Sequence, residues 1–194
     1  MNVISFESHA RRHLTQRAAR AERASAALAH YVAGEHGLRS AVEQASLPLM
    51  TATRLPQIVG TVVADWPRTL GVDTAALALA AHDEGMRAST SGVARIAAKR
   101  IRAWHDNAPG VTIRRVDGAE SLFGEAGHDV DIVAILPLAL PEPLGCGVLA
   151  LGDRHGNAVL ADRDLDGDVD VAETLGFLSG VLSRRIAACM MQTF

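Results

Sequence analysis

Apolar and small residues recur at helical spacing over the first part of the chain. Residues 5–33 contain neither proline nor glycine, and their apolar and small side chains follow alternating steps of four and three residues: Leu14, Ala18, Ala21, Ser25, Leu28 and Val32. This spacing predicts a long helix with a weak heptad seam, because most of the knobs are small. We expect the helix to end at Gly34 and Gly37. We interpret residues 1–37 as a dimerisation segment that precedes a domain over residues 38–194.

The next hydrophobic pattern predicts shorter helices followed by a strand. Two helical pieces, "GLRSAVEQASLPLM" and "RLPQIVGTVVADWPRTLG", are expected to be interrupted at Pro48 and Pro56 and to end near Pro67 and Gly71. The run "VDTAALALAA" (72–81) then lies between a glycine and the turn "HDEG". Its position predicts a buried strand.

The second half alternates between helix and strand patterns. Residues 91–107 predict an amphipathic helix with one apolar stripe, made of Val93, Ala97, Ile101 and Trp104. Residues 111–118 predict a short strand. Two apolar strands, 130–140 and 146–153, are joined by "PEPLG", which indicates a hairpin. A closing helix is predicted from about residue 168 to residue 190.

This order of elements predicts an α+β domain in which terminal helices flank one twisted, mostly antiparallel sheet. Both faces of the hairpin strands are apolar, so we expect both faces of the sheet to be covered. One predicted face is small, with Ala76, Ala78, Ala80, Ala134 and Ala150, and the other is large, with Leu77, Leu79, Val133, Ile135, Leu149 and Leu151. We expect a ligand pocket over the small face, lined by Ala76, Ala78, Trp104, Arg114, Ala134 and Leu136.

Several quoted stretches resemble a known family. The hairpin "DIVAILPLALPEPLGCGVLALGDRHG" followed by "LGFLSGVLSRRIA" resembles the end of a GAF domain. The opening "VISFESHARRHLTQRAARAE" and the "LFG" before the hairpin make the chain similar to the GAF-like bacterial "domain of unknown function 484" family. The resemblance implies terminal helices on one face of the sheet and shorter elements over a pocket on the other. It also implies a regulatory or sensory domain that binds a small molecule or a protein partner.

The closing helix carries a second feature that bears on assembly. Ala172, Gly176 and Gly180 follow one another at four-residue steps, so one side of the helix has no bulk and another backbone can approach it closely. We therefore predict a homodimer whose interface includes Leu14, Ala18, Ala21, Leu28, Val32, Gly176 and Gly180. The alternatives are an interaction module with a filled pocket and no ligand, and a module that depends on calcium.

The calcium alternative rests on residues 162–173, "DRDLDGDVDVAE". Asp162, Asp164 and Asp166 alternate, Gly167 follows them, and Glu173 closes the stretch, as in an EF-hand loop. The stretch before it has two glycines and follows a strand, whereas an EF-hand requires a helix there. Acidic residues at the start of a helix are also favoured by its dipole. We interpret the stretch as the acidic start of the closing helix.

The remaining candidate chemistry predicts no reaction. His128, Asp129 and Asp131, and likewise His105 and Asp106, could ligate a metal, but loop positions are the ordinary interpretation, and no cofactor or metal is predicted. The sequence has no GxSxG, Walker A or SxxK motif, so we predict a protein that is not an enzyme. Its two cysteines form no CxxC pair.

Charge and hydropathy limit the classes of partner that we expect. Residues 1–115 carry fifteen Lys/Arg against nine Asp/Glu, and residues 116–194 carry four against thirteen, for a net charge of −3. A basic half can bind nucleic acid, but the solvated faces of ordinary helices account for it, so nucleic acid is not expected as a partner. Without a signal peptide or a run of ~20 apolar residues, we expect a cytoplasmic protein with no membrane contact.

Overall fold

The computed structural model describes residues 37–154 and 169–191. From Leu38 onward the described residues belong to one compact unit. The predicted helix 5–33 and the acidic stretch before Val169 lie outside the described residues, and so do Leu14, Ala18, Ala21, Leu28 and Val32. In the part that is described, no helix is long and apolar enough to cross a membrane.

A six-stranded antiparallel sheet forms the centre of the unit. Its strands are β1 (Thr74–Ala81), β2 (Glu84–Ser89), β3 (Gly92–Ala97), β4 (Thr112–Arg115), β5 (Ile132–Ala139) and β6 (Cys146–Asp153). Their spatial order is β3-β2-β1-β6-β5-β4, which makes β3 and β4 the edge strands. The predictions of a strand over 72–81 and of a hairpin joined by "PEPLG" are confirmed.

Helices cover both faces of this sheet. They are α1 (37–51), α2 (Leu55–Gly60), a π-helical turn (Thr61–Asp65), α3 (Trp66–Leu70), α4 (Ala98–Asp106), α5 (Glu120–Phe123) with a 3-10 turn after it (Gly124–Gly127), and α6 (Val169–Met191). The helices α1, α2, α3 and α6 pack on one face, which we call face one. The short helices α4 and α5 pack on the other, which we call face two. The predicted α+β class, with a sheet covered on both sides, is confirmed.

Large aliphatic side chains build the core of face one. Leu77 and Leu149 are partners in the β1–β6 ladder and are no more than 1% exposed, and Leu178 and Leu182 of α6 are fully buried against this core. The indole N–H of Trp66 donates a hydrogen bond of 3.0 Å to the Ala45 carbonyl, which satisfies the only polar atom of a fully buried ring. Each such buried side chain contributes about 1.5–3 kcal/mol by leaving water.

The helix predictions need two corrections. Helix α1 passes through Pro48 and ends at residue 51, because the packing of Val42, Ala45 and Leu49 in the face-one core outweighs the one intrahelical hydrogen bond that a proline loses. The predicted helix 91–107 is wrong over its first half, where residues 92–97 form β3 and only residues 98–106 form α4.

Candidate functional site

Face two is where a ligand pocket was predicted, and its alanines are covered. Ala76 and Ala78 of β1 are 2% and 3% exposed, and they belong to one apolar cluster with Ile101 of α4 and Phe123 of α5. Ile101 and Phe123 are themselves fully buried. The small side chains of the sheet therefore make room for these two large side chains of the short helices.

Glycine lets α4 approach the sheet. A Cβ built on Gly85 of β2 would lie 2.7 Å from Ile101 Cδ1 and 2.7 Å from the Ile96 carbonyl oxygen, which is closer than real Cβ atoms come to other heavy atoms. Gly152 of β6 plays the same part for α5, because a Cβ there would lie 2.9 Å from the Phe123 ring. The Ile101 and Phe123 side chains thus pack directly on the backbone of the sheet.

Polar contacts fix α5 to the β2–β3 hairpin. The hydroxyl groups of Ser89 and Ser91 both donate to the Phe123 carbonyl oxygen, at 2.9 and 3.1 Å. The Arg87 guanidinium donates to the carbonyl oxygens of Glu120 and Ser121, at 3.1 and 3.2 Å. The C-cap N–H of Gly124 also donates to the Glu120 carbonyl, and the hairpin side chains supply donors to carbonyls that the four-residue helix leaves unpaired. Both the ring and the backbone of Phe123 are therefore held over face two.

Two of the predicted pocket residues lie on the other face. Ala134 pairs with Leu151 and Leu136 pairs with Leu149, and directly paired residues share a face, so both belong to face one. Val133 and Ile135, predicted on the large face, lie on face two instead. The prediction assigned β5 to the wrong face, because side chains alternate strictly along a strand and an offset of one residue reverses every one of them.

The other two pocket residues lie at the margin of face two. Trp104 is half-buried and packs against the face-two cluster from α4. Arg114 is exposed on the edge strand β4, opposite Val133 in the β4–β5 ladder. The structure therefore brings Ala76, Ala78 and Trp104 together in one cluster and leaves the Arg114 side chain in solvent.

A concave surface lies between α1 and α6, on the side of the sheet opposite to face two. A groove of about 290 Å³ is lined by Arg39, Val42, Glu43, Glu173, Thr174 and Phe177. Phe177 is 58% exposed beside the groove, and Gly176 and Gly180 follow on the same helix. Among the described residues, a Cβ built on Gly180 would meet no heavy atom within 4 Å, and one on Gly176 would meet only Val111, at 3.9 Å.

The cysteine thiols lie on opposite faces of the sheet. Cys146 is half-buried at the edge of the face-two cluster, whereas Cys189 is buried in the face-one core near the Ala52 carbonyl oxygen. Burial raises the pKa of the Cys146 thiol, the Arg102 guanidinium opposes that rise, and Asp106 adds to it. Neither cysteine forms a disulfide, and the sheet separates the two thiols.

Two carboxyl groups have shifted acidity. Burial raises the pKa of Asp153 to about 7, with further increases from the neighbouring Asp73 and Asp131 and a decrease from the Arg154 backbone N–H. A hydrogen bond from its own backbone N–H and a 3.1 Å contact with His128 lower the pKa of Glu120, which is exposed. Among the described residues, no group of three or more His, Cys, Asp or Glu is placed to hold a metal ion.

The sequence analysis did not identify the residues that hold α5 over face two. Arg87, Ser89 and Phe123 were not predicted as site residues, because the β2–β3 hairpin that carries the first two was not recognised. The turn "STSG" at residues 89–92 is a signal that could have revealed it, since Ser, Thr and Gly between two short runs mark a hairpin.

Similar folds are known among solved structures. Free methionine-R-sulfoxide reductase from Neisseria meningitidis, solved with its substrate, is 20% identical with a TM-score of 0.54, over 80% of this chain and 91% of that one. The GAF domain of a phosphoenolpyruvate-protein phosphotransferase from Coxiella burnetii is 12% identical with a TM-score of 0.53, over 82% and 98%. The chromophore-binding domain of a bacteriophytochrome from R. palustris is 15% identical with a TM-score of 0.52, over 80% and 62%.

These likenesses show that the chain has a GAF-like α+β fold. No known protein-family profile matches the chain, and no curated protein is significantly similar in sequence. The predicted GAF-like architecture is thus confirmed at the level of fold. The narrower resemblance to the "domain of unknown function 484" family stays a prediction.

Proposed function

We propose that this chain is a non-catalytic regulatory or sensory domain that acts through contact with another protein molecule, in the first place a second copy of itself. The observation that carries the proposal is the filling of face two. Ala76, Ala78 and Ile101 are at most 3% exposed, so side chains occupy the space where a ligand was predicted. A ligand on this face would have to displace Ile101 or Phe123, and each is held by close packing on backbone.

The regulatory part of the proposal draws on the fold class. Two of the similar structures are, by their names, a GAF domain within a phosphotransferase and a chromophore-binding domain within a phytochrome. Each is by its name a domain of a larger protein, and a regulatory domain is the role that we infer for this chain; fold alone does not carry a ligand from one protein to another. The "LFG" segment and the closing hairpin support the further proposal that the chain is a divergent member of the "domain of unknown function 484" family.

The arrangement of nucleophiles supports a non-catalytic domain. Reduction of a sulfoxide, the chemistry that the name of the Neisseria meningitidis protein describes, takes two electrons, which two neighbouring thiols can supply by forming a disulfide. Here Cys146 and Cys189 are on opposite faces of the sheet. The raised pKa of Cys146 also lowers its thiolate fraction at neutral pH. The hydroxyls of Ser89 and Ser91 donate to a backbone carbonyl rather than to a base.

The outer side of α1 and α6 supports contact with a second copy. Leu47 and Met50 are each 67% exposed on α1, and Phe177 is 58% exposed on α6. Glu43 shares one side of α1 with Leu47 and Met50 at steps of four and three residues, and Glu43 lines the same groove as Phe177. We call Leu47, Met50 and Phe177 the α1/α6 surface. Gly176 and Gly180 beside it leave room for a second backbone.

Light scattering at micromolar concentration tests this proposal. The parent chain is expected at twice the single-chain mass of 20.5 kDa. Phe177→Glu puts a charge on the α1/α6 surface and is expected to give the single-chain mass. Val93→Glu is the matched control, because Val93 is 67% exposed on the edge strand β3, away from this surface.

Two outcomes contradict different parts of the proposal. A parent chain at 20.5 kDa contradicts the dimer. A dimer that survives Phe177→Glu contradicts the α1/α6 surface. The double variant Leu14→Glu, Leu28→Glu tests the predicted heptad seam in the same way, and it should dissociate without unfolding.

A further inference from the structure

The end of strand β6 holds a buried carboxyl group without a hydrogen-bond donor. Asp153 is 0% exposed, and within the described chain neither of its carboxyl oxygens accepts a hydrogen bond. Its ladder partner Ile132 belongs to the face-one core, so the side chain points toward the apolar, helix-covered side of the sheet. A carboxylate in such a place lacks both water and a compensating partner, which is costly.

The groups around Asp153 come from three strand ends. Asp73, just before β1, donates its backbone N–H to the Gly152 carbonyl oxygen at 3.0 Å, and its Oδ2 accepts the backbone N–H of Arg154 at 2.7 Å. Asp131, just before β5, donates its backbone N–H to the Asp153 carbonyl oxygen at 3.0 Å. Asp73, Asp131 and the Arg154 backbone N–H are the groups that act on the Asp153 carboxyl.

The guanidinium of the adjacent residue, Arg154, is directed elsewhere. The Arg154 guanidinium donates to the Ala126 carbonyl oxygen at 3.4 Å and lies 3.9 Å from an Asp129 carboxylate oxygen. Asp153 therefore has two further carboxyl groups beside it, and the neighbouring Arg154 backbone N–H donates its hydrogen bond to Asp73 instead. Two neighbouring carboxylates in a buried site do not both ionise easily, because like charges repel strongly there.

We propose that Asp73 and Asp153 share one proton in the folded protein, and that loss of this proton loosens the junction of β1 and β6 where the chain leaves the sheet. The shared proton lets the Asp153 hydroxyl donate to the Asp73 carboxylate. Asp73 can then keep accepting the Arg154 N–H, which ties the start of β1 to the end of β6. With both groups ionised, repulsion between the two carboxylates strains the Asp73–Arg154 hydrogen bond. We call this carboxyl pair a pH-sensitive latch, because it holds the start of β1 to the end of β6 while the proton is bound.

The direction of the pH effect follows from the acidity of Asp153. Its pKa is about 7 in the folded chain and near the ordinary 3.8 in the unfolded chain. Between these values the folded state binds more protons, so stability falls as pH rises, and the unfolding equilibrium constant rises by at most about tenfold per pH unit. The favourable contribution is complete below the lower pKa and is lost above the upper one.

The described residues favour a proton over a metal ion between the Asp73 and Asp153 carboxyl groups. In those ranges no set of three or more His, Cys, Asp or Glu could hold a metal ion. A single carboxyl pair is a poor site for a divalent cation, since calcium takes about six to eight oxygen ligands. The proposal is independent of the proposed regulatory function and concerns only the folded chain.

Urea unfolding of the full chain between about pH 5 and pH 8 tests the latch. In the parent, the unfolding constant should rise across this range. Asp153→Asn keeps the size of the side chain and its amide can donate to Asp73 at every pH, so the rise should shrink by up to about tenfold per pH unit below the upper pKa. Asp117→Asn is the control, because Asp117 is exposed on a loop and should leave the parent profile unchanged. An Asp153→Asn profile parallel to that of the parent overturns the proposal.

Two further arms cover other outcomes. Should Asp153→Asn fail to fold, Asp73→Asn replaces it, because an amide at residue 73 can donate to the Asp153 carboxylate and should flatten the profile as well. A parent profile retained in Asp73→Asn overturns the proposal. Calcium chloride added at the highest pH should leave the unfolding constant unchanged, and a calcium stabilisation that Asp153→Asn abolishes would overturn the proton in favour of a cation.

Amide hydrogen exchange at Arg154 tests the loosening itself. Because the side chain before an amide affects its intrinsic exchange rate, each observed rate at Arg154 is divided by the intrinsic rate for its own sequence, and the quotient reports only opening. Above the upper pKa we expect this quotient to be larger in the parent than in Asp153→Asn, and we expect the two quotients to converge at low pH. Equal quotients at every pH contradict the latch.

Discussion

The two faces of the sheet are both dry, but they are buried in different ways. Face one pairs leucines of the sheet with long helices, and Leu178, Leu182 and Ile186 repeat along α6 at helical spacing. Face two pairs alanines of the sheet with two short helices, whose fully buried large side chains are Ile101 and Phe123. Burial by a few large side chains resting on glycine makes the second face sensitive to single changes.

The largest expected effect comes from removing one of those side chains. Phe123→Ala should lower the free energy of unfolding by about 3–5 kcal/mol, as expected for a fully buried aromatic residue. Trp66→Ala on face one is the matched variant and should cost a similar amount, because Trp66 is equally buried. Urea unfolding measures both. A loss below about 1 kcal/mol for Phe123→Ala alone would mean that face two is a loosely covered pocket rather than a core.

The next effect comes from the close approach of α4 to β2. Gly85→Ala places a methyl group 2.7 Å from Ile101 Cδ1 and from a backbone carbonyl oxygen, so overpacking should cost about 1–3 kcal/mol. The double variant Gly85→Ala, Ile101→Val shortens the side chain and should recover part of the loss. An unchanged stability in Gly85→Ala would contradict the close packing of Ile101 on Gly85.

The smallest effect has the opposite sign and belongs to α6. Gly180→Ala adds a methyl group where no heavy atom of residues 37–154 or 169–191 lies within 4 Å, and alanine favours helix over glycine by about 1 kcal/mol. In the monomeric Phe177→Glu background we therefore expect the free energy of unfolding to rise by up to about 1 kcal/mol. A destabilisation would reveal a neighbour of Gly180 within the single chain.

Sequence patterns identified the helices and strands whose hydrophobic pattern continues over enough residues to be distinguished from the alternatives. The closing helix and the β5–β6 hairpin were predicted close to their observed bounds, because α6 is long and the hairpin strands are continuous apolar runs. The strands β2 and β3 escaped prediction. Their sequences, "EGMRAS" and "GVARIA", are short and contain few β-branched residues, and β3 runs into α4 without a loop.

The candidate site was harder to predict than the fold. Val93, Ala97 and Ile101 are spaced like a helical stripe, although the first two belong to a strand and only the third belongs to α4. Ala134 was assigned to the small face because it is an alanine, whereas its face is set by its pairing with Leu151. Pairing register depends on contacts between distant residues, so alternation within one strand does not decide it.

The most direct test of the account is a methyl spectrum of the folded chain with Ala76, Ala78 and Ile101 assigned. A mixture of nucleotides, amino acids and tetrapyrroles is added, followed by benzene as a small apolar probe. In the parent we expect none of these methyl signals to move, and we expect benzene to move the Ala76 and Ala78 signals only in Ile101→Ala, where truncation leaves a dry cavity. Saturable shifts of Ala76 and Ala78 in the parent would contradict the account, because they would show that face two opens to a ligand.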